Sequence, residues 1–249
     1  MKTIIELNTQ QYTIDLAKPL DISIALNGAA TNPNAWYLDA PSIDPVVNGD
    51  WVGAVASGGS VNFNTITFNP HAHGTHTECV GHITAQFNSV NDVFSRYFFT
   101  AELISVTPEK SGKDYIITQA AISDALKGQR PEALVIRTLP NSTDKLQRQY
   151  SHTNWPYLTK DAAAFLCRIG IQHLLIDTPS VDKEKDEGVL AAHNAFWDVK
   201  SHPRLHATIT EFIYVPDTVV DGPFIIEMQV ANMVNDAAPS RPLLYALIT

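Results

Sequence analysis

Residues 70–83 read Pro70-His71-Ala72-His73-Gly74-Thr75-His76-Thr77-Glu78-Cys79-Val80-Gly81-His82-Ile83, and they constrain the fold more than any other stretch of the chain. Four of the nine histidines fall within twelve residues, with a glutamate among them. Imidazole and carboxylate are the usual ligands of zinc and similar divalent ions. Such density points to metal or acid–base chemistry rather than to a solvated turn. The backbone must then present these groups together. His76 and Glu78 are two apart, a spacing that a strand places on one face. His82 lies four beyond Glu78, and a helical turn starting near Cys79 would bring it back over them. Gly74 and Gly81 free the backbone to bend around an ion. The spacing differs from the H-E-x-x-H helix of zinc proteases and reads instead as a strand-to-helix ligand loop.

Three ligands from one loop seldom complete a site, so a second group is needed. His193 follows the acidic stretch Asp182-Lys183-Glu184-Lys185-Asp186-Glu187 and falls on a predicted helix over 188–199. Glu211 interrupts an otherwise apolar strand over 207–212. These two are the candidates to complete the site. His152, His173, His202 and His206 have no comparable context.

With 249 residues, 45% of them hydrophobic, the chain can bury one sizeable core. Charged residues make up only 17%, which argues against disorder. A net charge of −9 argues against a nucleic-acid partner, whose phosphates need a basic face. No stretch approaches the ~20 apolar residues of a membrane span, and residues 1–8 do not look like a signal peptide. Two cysteines, Cys79 and Cys167, do not suggest a disulfide framework. A soluble, cytoplasmic protein with a small-molecule substrate is the expectation.

Alternation predicts a β-hairpin from 3–7 and 12–16, and a strand over 60–68. Residues 22–50, rich in Asn, Pro, Gly and Asp, read as a long loop around Trp36 and Tyr37. Strands are predicted at 101–106, 133–137, 173–176, 207–212, 224–230 and 242–248. Helices are predicted over 118–126 and 159–168, with Thr118 and Thr159 as N-caps and a stop near Gly170. Strands and helices interleave, which predicts an α/β chain, or α+β with a mixed sheet, in a single domain spanning residues 1–249.

The stretch Gly74-Thr75-His76-Thr77-Glu78-Cys79-Val80-Gly81-His82 resembles the H-x-G-T-H-x-D-x-P-x-H signature of the cyclase family of metal-dependent hydrolases. That family includes bacterial kynurenine formamidase and isatin hydrolase. Leu175-Ile176-Asp177-Thr178-Pro179-Ser180-Val181-Asp182 resembles a further family segment. Trp155-Pro156-Tyr157-Leu158, Asp161-Ala162-Ala163-Ala164-Phe165-Leu166 and Val135-Ile136-Arg137-Thr138 are also in family style, and the resemblance runs from about Leu20 to the C-terminus. It implies a mixed central sheet flanked by helices, of the swivelling β/β/α type. It also implies that His76 and Glu78 are metal ligands, that His193 and Glu211 complete a second metal site, and that His82 is the proton donor and acceptor. Trp36 would line the substrate pocket.

The chain departs from the signature in three places. Ala72 stands where the first histidine belongs, flanked by His71 and His73, either of which would substitute if the loop shifts by one residue. His71 is the preferred of the two, because it leaves Ala72 and His73 as spacers before the Gly74 turn. Val80 replaces a proline, and Glu78 replaces an aspartate with one methylene more reach. One ion or two, Zn²⁺ or Mn²⁺, are therefore both open.

The chemistry implied is hydrolysis of an amide-type bond, in an aryl formamide or a cyclic amide, by metal-activated water. Zinc lowers the pKa of bound water to ~7, and an imidazole moves protons well near neutrality. No G-x-S-x-G elbow appears, which disfavours a serine hydrolase. Two other readings stand beside it. One is a metal- or ligand-binding homologue that lost catalysis through Ala72; the other is a metal-dependent cyclase, dehydratase or lactonase acting on a small carboxylate. Trp36, Tyr37 and Trp51 would suit an aryl substrate, and the exposed aromatics a homodimer or higher homo-oligomer.

Overall fold

In the computed structural model, which describes residues 1–7 and 9–248, a mixed sheet closes on itself. Its strands are β1 (Leu20–Asp21), β2 (His76–Cys79), β3 (Phe98–Val106), β4 (Ala133–Thr138), β5 (His173–Ile176), β6 (Thr208–Glu211), β7 (Gly222–Val230) and β8 (Ala237–Ala246). They lie in the order β7-β3-β4-β5-β6-β2-β8-β1, and β7 also pairs with β8. Seven strands thus form a barrel, with β1 added to β8. The run β3, β4, β5, β6 is parallel, whereas β2, β7 and β8 join their neighbours antiparallel.

Parallel strands covered on both faces read as continuous apolar runs, and Ala133-Leu134-Val135-Ile136 is such a run, wholly buried. Its alternate residues serve two cores. Ala133 and Val135 pack with Leu103, Leu175, Phe224 and Ile226 inside the barrel. Leu134 and Ile136 pack outward with Ile104, Leu174, Ile176 and Ile209 against the helices.

The helices are α1 (Gln119–Leu126), α2 (Lys160–Arg168) and α3 (Ala191–Phe196). Thr118 and Thr159 cap α1 and α2, accepting from Ala121 N and Ala162 N, each at 3.2 Å. The mixed sheet flanked by helices follows the expectation; its closure into a barrel is the added feature. The predicted helix over 188–199 is shorter than expected. Gly188 and Leu190 adopt left-handed φ of 78° and 45°, which keeps the chain non-helical before Ala191. In place of a local cap, the Asp182 carboxylate accepts from Ala192 N at 2.7 Å and His193 N at 3.0 Å.

The N-terminal hairpin pairs Lys2–Leu7 with Gln10–Asp15 and seats Ile14 on Ile225, Leu243 and Tyr245 of β7 and β8. Position 8, between the two strands in sequence, lies outside the described residues. The long loop carries one feature the sequence did not announce: Ser42–Pro45 pairs with Asn64–Thr67 to form a two-stranded arm. The strand predicted over 60–68 belongs to that arm. A further hairpin, Glu109–Ser111 with Asp114–Ile117, was also unforeseen. Among the described residues, no helix is long and apolar enough to cross a membrane.

Candidate metal centre

Strand β2 lies between β6 and β8. His76 is opposite Glu211 on one side and Pro239 on the other; Glu78 is opposite Ile209 and Ala237. Residues directly opposite share a face. Ile209 packs against the helices, so His76, Glu78 and Glu211 project toward α3. From α3, His193 Nε2 stands 3.0 Å from Glu78 Oε1 and 3.9 Å from Glu211 Oε1. His76 Nε2 stands 3.4 Å from Glu211 Oε2 and 4.0 Å from Glu78 Oε2.

The loop before β2 and the turn after it supply two more imidazoles. His71 Nδ1 lies 3.1 Å from Glu78 Oε2. A 3-10 turn over Val80–Ile83 carries His82, whose Nε2 lies 3.8 Å from the same oxygen. The strand-then-turn expected from the spacing is what brings His76, Glu78 and His82 together. The two glycines act differently from one another. Gly74 has φ +154°, which favours glycine. Gly81 is needed for space, since a Cβ there would fall 2.1 Å from the Asn88 carbonyl oxygen.

Glu78 is fully buried and ringed by four imidazoles. Two atoms at the centre of the ring, Glu78 Oε2 and His76 Nε2, are buried without an aligned hydrogen bond among the described residues. Buried polar atoms are normally satisfied, so this pair marks a place for a further partner. The donor atoms of His71, His76 and Glu78 lie within 4.8 Å of one another, as do those of Glu78, His82 and His193. A set of imidazole nitrogens and carboxylate oxygens suits zinc, manganese and similar ions, so the residues present fit a metal.

The charges around Glu78 offset one another. Burial raises the Glu78 pKa, but the charge of His82 and the close approach of His193 and His71 outweigh it and hold Glu78 well below the carboxylate range. For His193, burial opposes the charged form, while Asp182 and Glu78 hold its pKa well above the usual value. Burial likewise opposes charge on His71, but Asp236 and Glu78 push its pKa up to about 10. A cation entering the ring would displace protons from these imidazoles.

Of the two histidines flanking Ala72, the structure brings His71 into the ring and leaves His73 outside. His73 Nδ1 accepts from Asn69 N at 2.8 Å and its Nε2 donates to Asp39 O at 2.9 Å, so both ring nitrogens are occupied. Burial lowers its pKa. Trp36 borders the loop, donating from Nε1 to His71 O at 3.2 Å and meeting Trp155 edge-on at 5.1 Å. Its φ of +62° is a left-handed value of the kind that clusters at functional sites.

Two members of the site went unread in the sequence. Asp182 Oδ2 holds His193 Nδ1 at 2.6 Å. It opens the acidic run before α3, and an acid eleven residues from a candidate histidine was an available signal. Asp236 Oδ2 holds His71 Nε2 at 3.0 Å and His82 Nδ1 at 3.3 Å. Nothing in its local sequence, Asn235-Asp236-Ala237, marks it.

The Cyclase family model matches residues 14–183. The kynurenine formamidase of Bacillus mycoides (strain KBAB4) is 29% identical over 241 residues, spanning 96% of this chain and 99% of that protein. The kynurenine formamidase of Bacillus cereus (strain ATCC 14579) is 28% identical over 234 residues, spanning 93% and 96%. Among solved structures, an isatin hydrolase bound to the product analogue thioisatinate superposes with a TM-score of 0.68 at 16% identity, covering 92% of each chain. A potential metal-dependent hydrolase with cyclase activity superposes with a TM-score of 0.65 at 18% identity, covering 92% of this chain and 97% of the other. At these identities the two structures speak for the fold.

Proposed function

The chain belongs to the Cyclase family, and on that premise we propose that it is a metal-dependent hydrolase of non-peptide C–N bonds, cleaving an aryl formamide or a cyclic amide. The observation that carries this reading is the orphaned pair at the centre of the imidazole ring, Glu78 Oε2 and His76 Nε2. Full-length relatives named as kynurenine formamidases support the bond type.

His71, His76 and Glu78 would hold one ion, and His193 and Glu211, sharing Glu78, a second; Zn²⁺ and Mn²⁺ both suit these donors. When bound, such an ion supplies Lewis acidity and lowers the pKa of water, for zinc to ~7. The protein's own groups do the rest. Glu78 stays anionic in a dry setting, where its charge acts strongly. His82 is partly exposed and has Nδ1 committed to Asp236, which leaves Nε2 as the nitrogen that passes a proton to the leaving amine. Trp36 borders the loop and offers an aromatic edge to an aryl substrate. His71 supports catalysis over the binding-only reading, because its ring supplies the nitrogen that Ala72 lacks. The protein is read as a cytoplasmic homodimer or higher homo-oligomer acting on a small molecule.

The test is turnover of an N-formyl aryl amine and of a cyclic imide by the zinc- and manganese-loaded protein, with product analysis. Release of formate or ring-opened acid, abolished in His82→Ala with metal retained, is the expected result. No C–N cleavage, or a dehydrated or lactone-derived product instead, would overturn it.

A further inference from the structure

We propose that Asp236 is a positioning residue of this metal centre, with one carboxylate oxygen fixing the rings of both His71 and His82. The inference rests on the metallohydrolase reading above.

The argument begins with a pattern. Each inner imidazole has one nitrogen committed to an oxygen and the other aimed into the ring. His76 Nδ1 donates to Gly74 O at 3.0 Å, leaving Nε2 inward. His193 Nδ1 donates to Asp182 Oδ2 at 2.6 Å, leaving Nε2 toward Glu78. His71 follows the same rule with its nitrogens exchanged: Nε2 donates to Asp236 Oδ2 at 3.0 Å, leaving Nδ1 toward Glu78. An oxygen behind a ligating imidazole sets its tautomer and orientation and raises its basicity. His73 lacks an inward nitrogen altogether.

Asp236 matters most where packing restrains least. The side chains of His76 and His193 are 0% and 2% exposed, whereas that of His71 is 21% exposed. Burial locks the first two rings; His71 depends on its hydrogen bonds. The same oxygen also lies 3.3 Å from His82 Nδ1, and the two rings stack with centroids 4.2 Å apart. The backbone of Asp236 is anchored to the ligand strand itself, since Cys79 N donates to Asp236 O at 3.0 Å. Its carboxylate is therefore placed relative to Glu78, one residue before Cys79. Asp236 is thus the group that meets His71 on the side away from Glu78.

Co²⁺ titration of metal-free protein tests this, read by d–d absorbance and by bound-metal stoichiometry, for wild type, Asp236→Asn, Asp236→Ala, His71→Ala and the His71→Ala/Asp236→Ala double variant. The expected result is wild-type stoichiometry in both Asp236 variants, with Co²⁺ bound about 10–100-fold more weakly and an altered spectrum. The double variant should bind no more weakly than His71→Ala alone, because Asp236 acts through that ring. Unchanged affinity and spectrum in both Asp236 variants would overturn the proposal. So would loss of a whole equivalent, which would make Asp236 a ligand. Wild-type protein that binds no Co²⁺ would instead overturn the metallohydrolase reading and the proposal with it.

Discussion

Glu78 Oε1 and His193 Nε2 stand 3.0 Å apart although 115 residues separate them in the chain. One sits on a barrel strand and the other on the helix that covers it, so the site closes only when β2 and α3 dock. Metal content should report this directly. Glu78→Gln keeps the shape but removes the charge, and His193→Ala removes the nitrogen. Both should weaken metal binding by more than the ~10–100-fold that an outer partner costs. Elemental analysis of the purified proteins, with His76→Ala beside them, checks it; wild-type metal content in Glu78→Gln would contradict it.

A second prediction concerns acid stability. His173 on β5 is buried between Phe94 and Phe99, at ring distances of 5.3 and 4.1 Å. Its Nδ1 meets Thr208 Oγ1 at 2.8 Å, while Nε2 has no hydrogen-bond partner among the described residues. Burial lowers its pKa from 6.5 to about 3. The unfolded chain therefore binds this proton first as pH falls. The contribution of neutral His173 is complete above about pH 6.5 and is lost as pH drops toward 3, at up to about 1.4 kcal/mol per unit. Urea melts of wild type between pH 7.5 and 4 should steepen in this window, and His173→Leu should flatten the dependence.

Lys145 and Asp177 form a buried ion pair, Nζ to Oδ2 2.7 Å. Asp177 also accepts from Thr138 N and Thr138 Oγ1 at 2.9 and 2.8 Å. Removing one partner of such a pair strands the other charge, at about 3–5 kcal/mol. Lys145→Met should fall in that range by thermal or urea melting. Adding Asp177→Asn, which removes the stranded charge and keeps an acceptor for Thr138, should recover part of the loss.

Gly81→Ala should destabilise by about 1–3 kcal/mol, because the new methyl meets a backbone carbonyl rather than a flexible side chain. The turn carrying His82 would shift with it. A melting temperature equal to wild type, together with full activity, would show that the turn yields more easily than its packing implies.

Association is the last expectation. Ile66 on the arm, and Val47 and Phe63 just outside its strands, are 52%, 66% and 57% exposed, apolar surface that association would cover. Light scattering should give a mass that is a multiple of 27.4 kDa, and Phe63→Glu with Ile66→Lys should lower it.

What could be read from the sequence divides along a physical line. Strands β4 and β5 were visible because parallel strands covered on both faces are continuous apolar runs. Helices α1 and α2 were visible because their threonine caps are local. The loop from His71 to His82 was legible because its donors are close in sequence. The shortening of α3 was hidden, because its first N–H groups are met by Asp182, ten residues upstream. Asp236 was hidden for the same reason on a larger scale, as it lies 165 residues from His71 and reaches the site only through sheet pairing. Barrel closure, a pairing of β7 with β8, has no local signature either.

An alanine at 72 with histidine beside it at 71 bears on how such proteins are found. Ala72 is buried, with its carbonyl accepting from Ala35 N at 3.1 Å, so the backbone of the loop is held while the imidazole arrives from the neighbouring position. A search string that demands the histidine two residues before Gly74 rejects this chain, though an imidazole nitrogen stands 3.1 Å from Glu78. A pattern written in sequence intervals cannot see a nitrogen that the fold carries to the buried carboxylate from a neighbouring position.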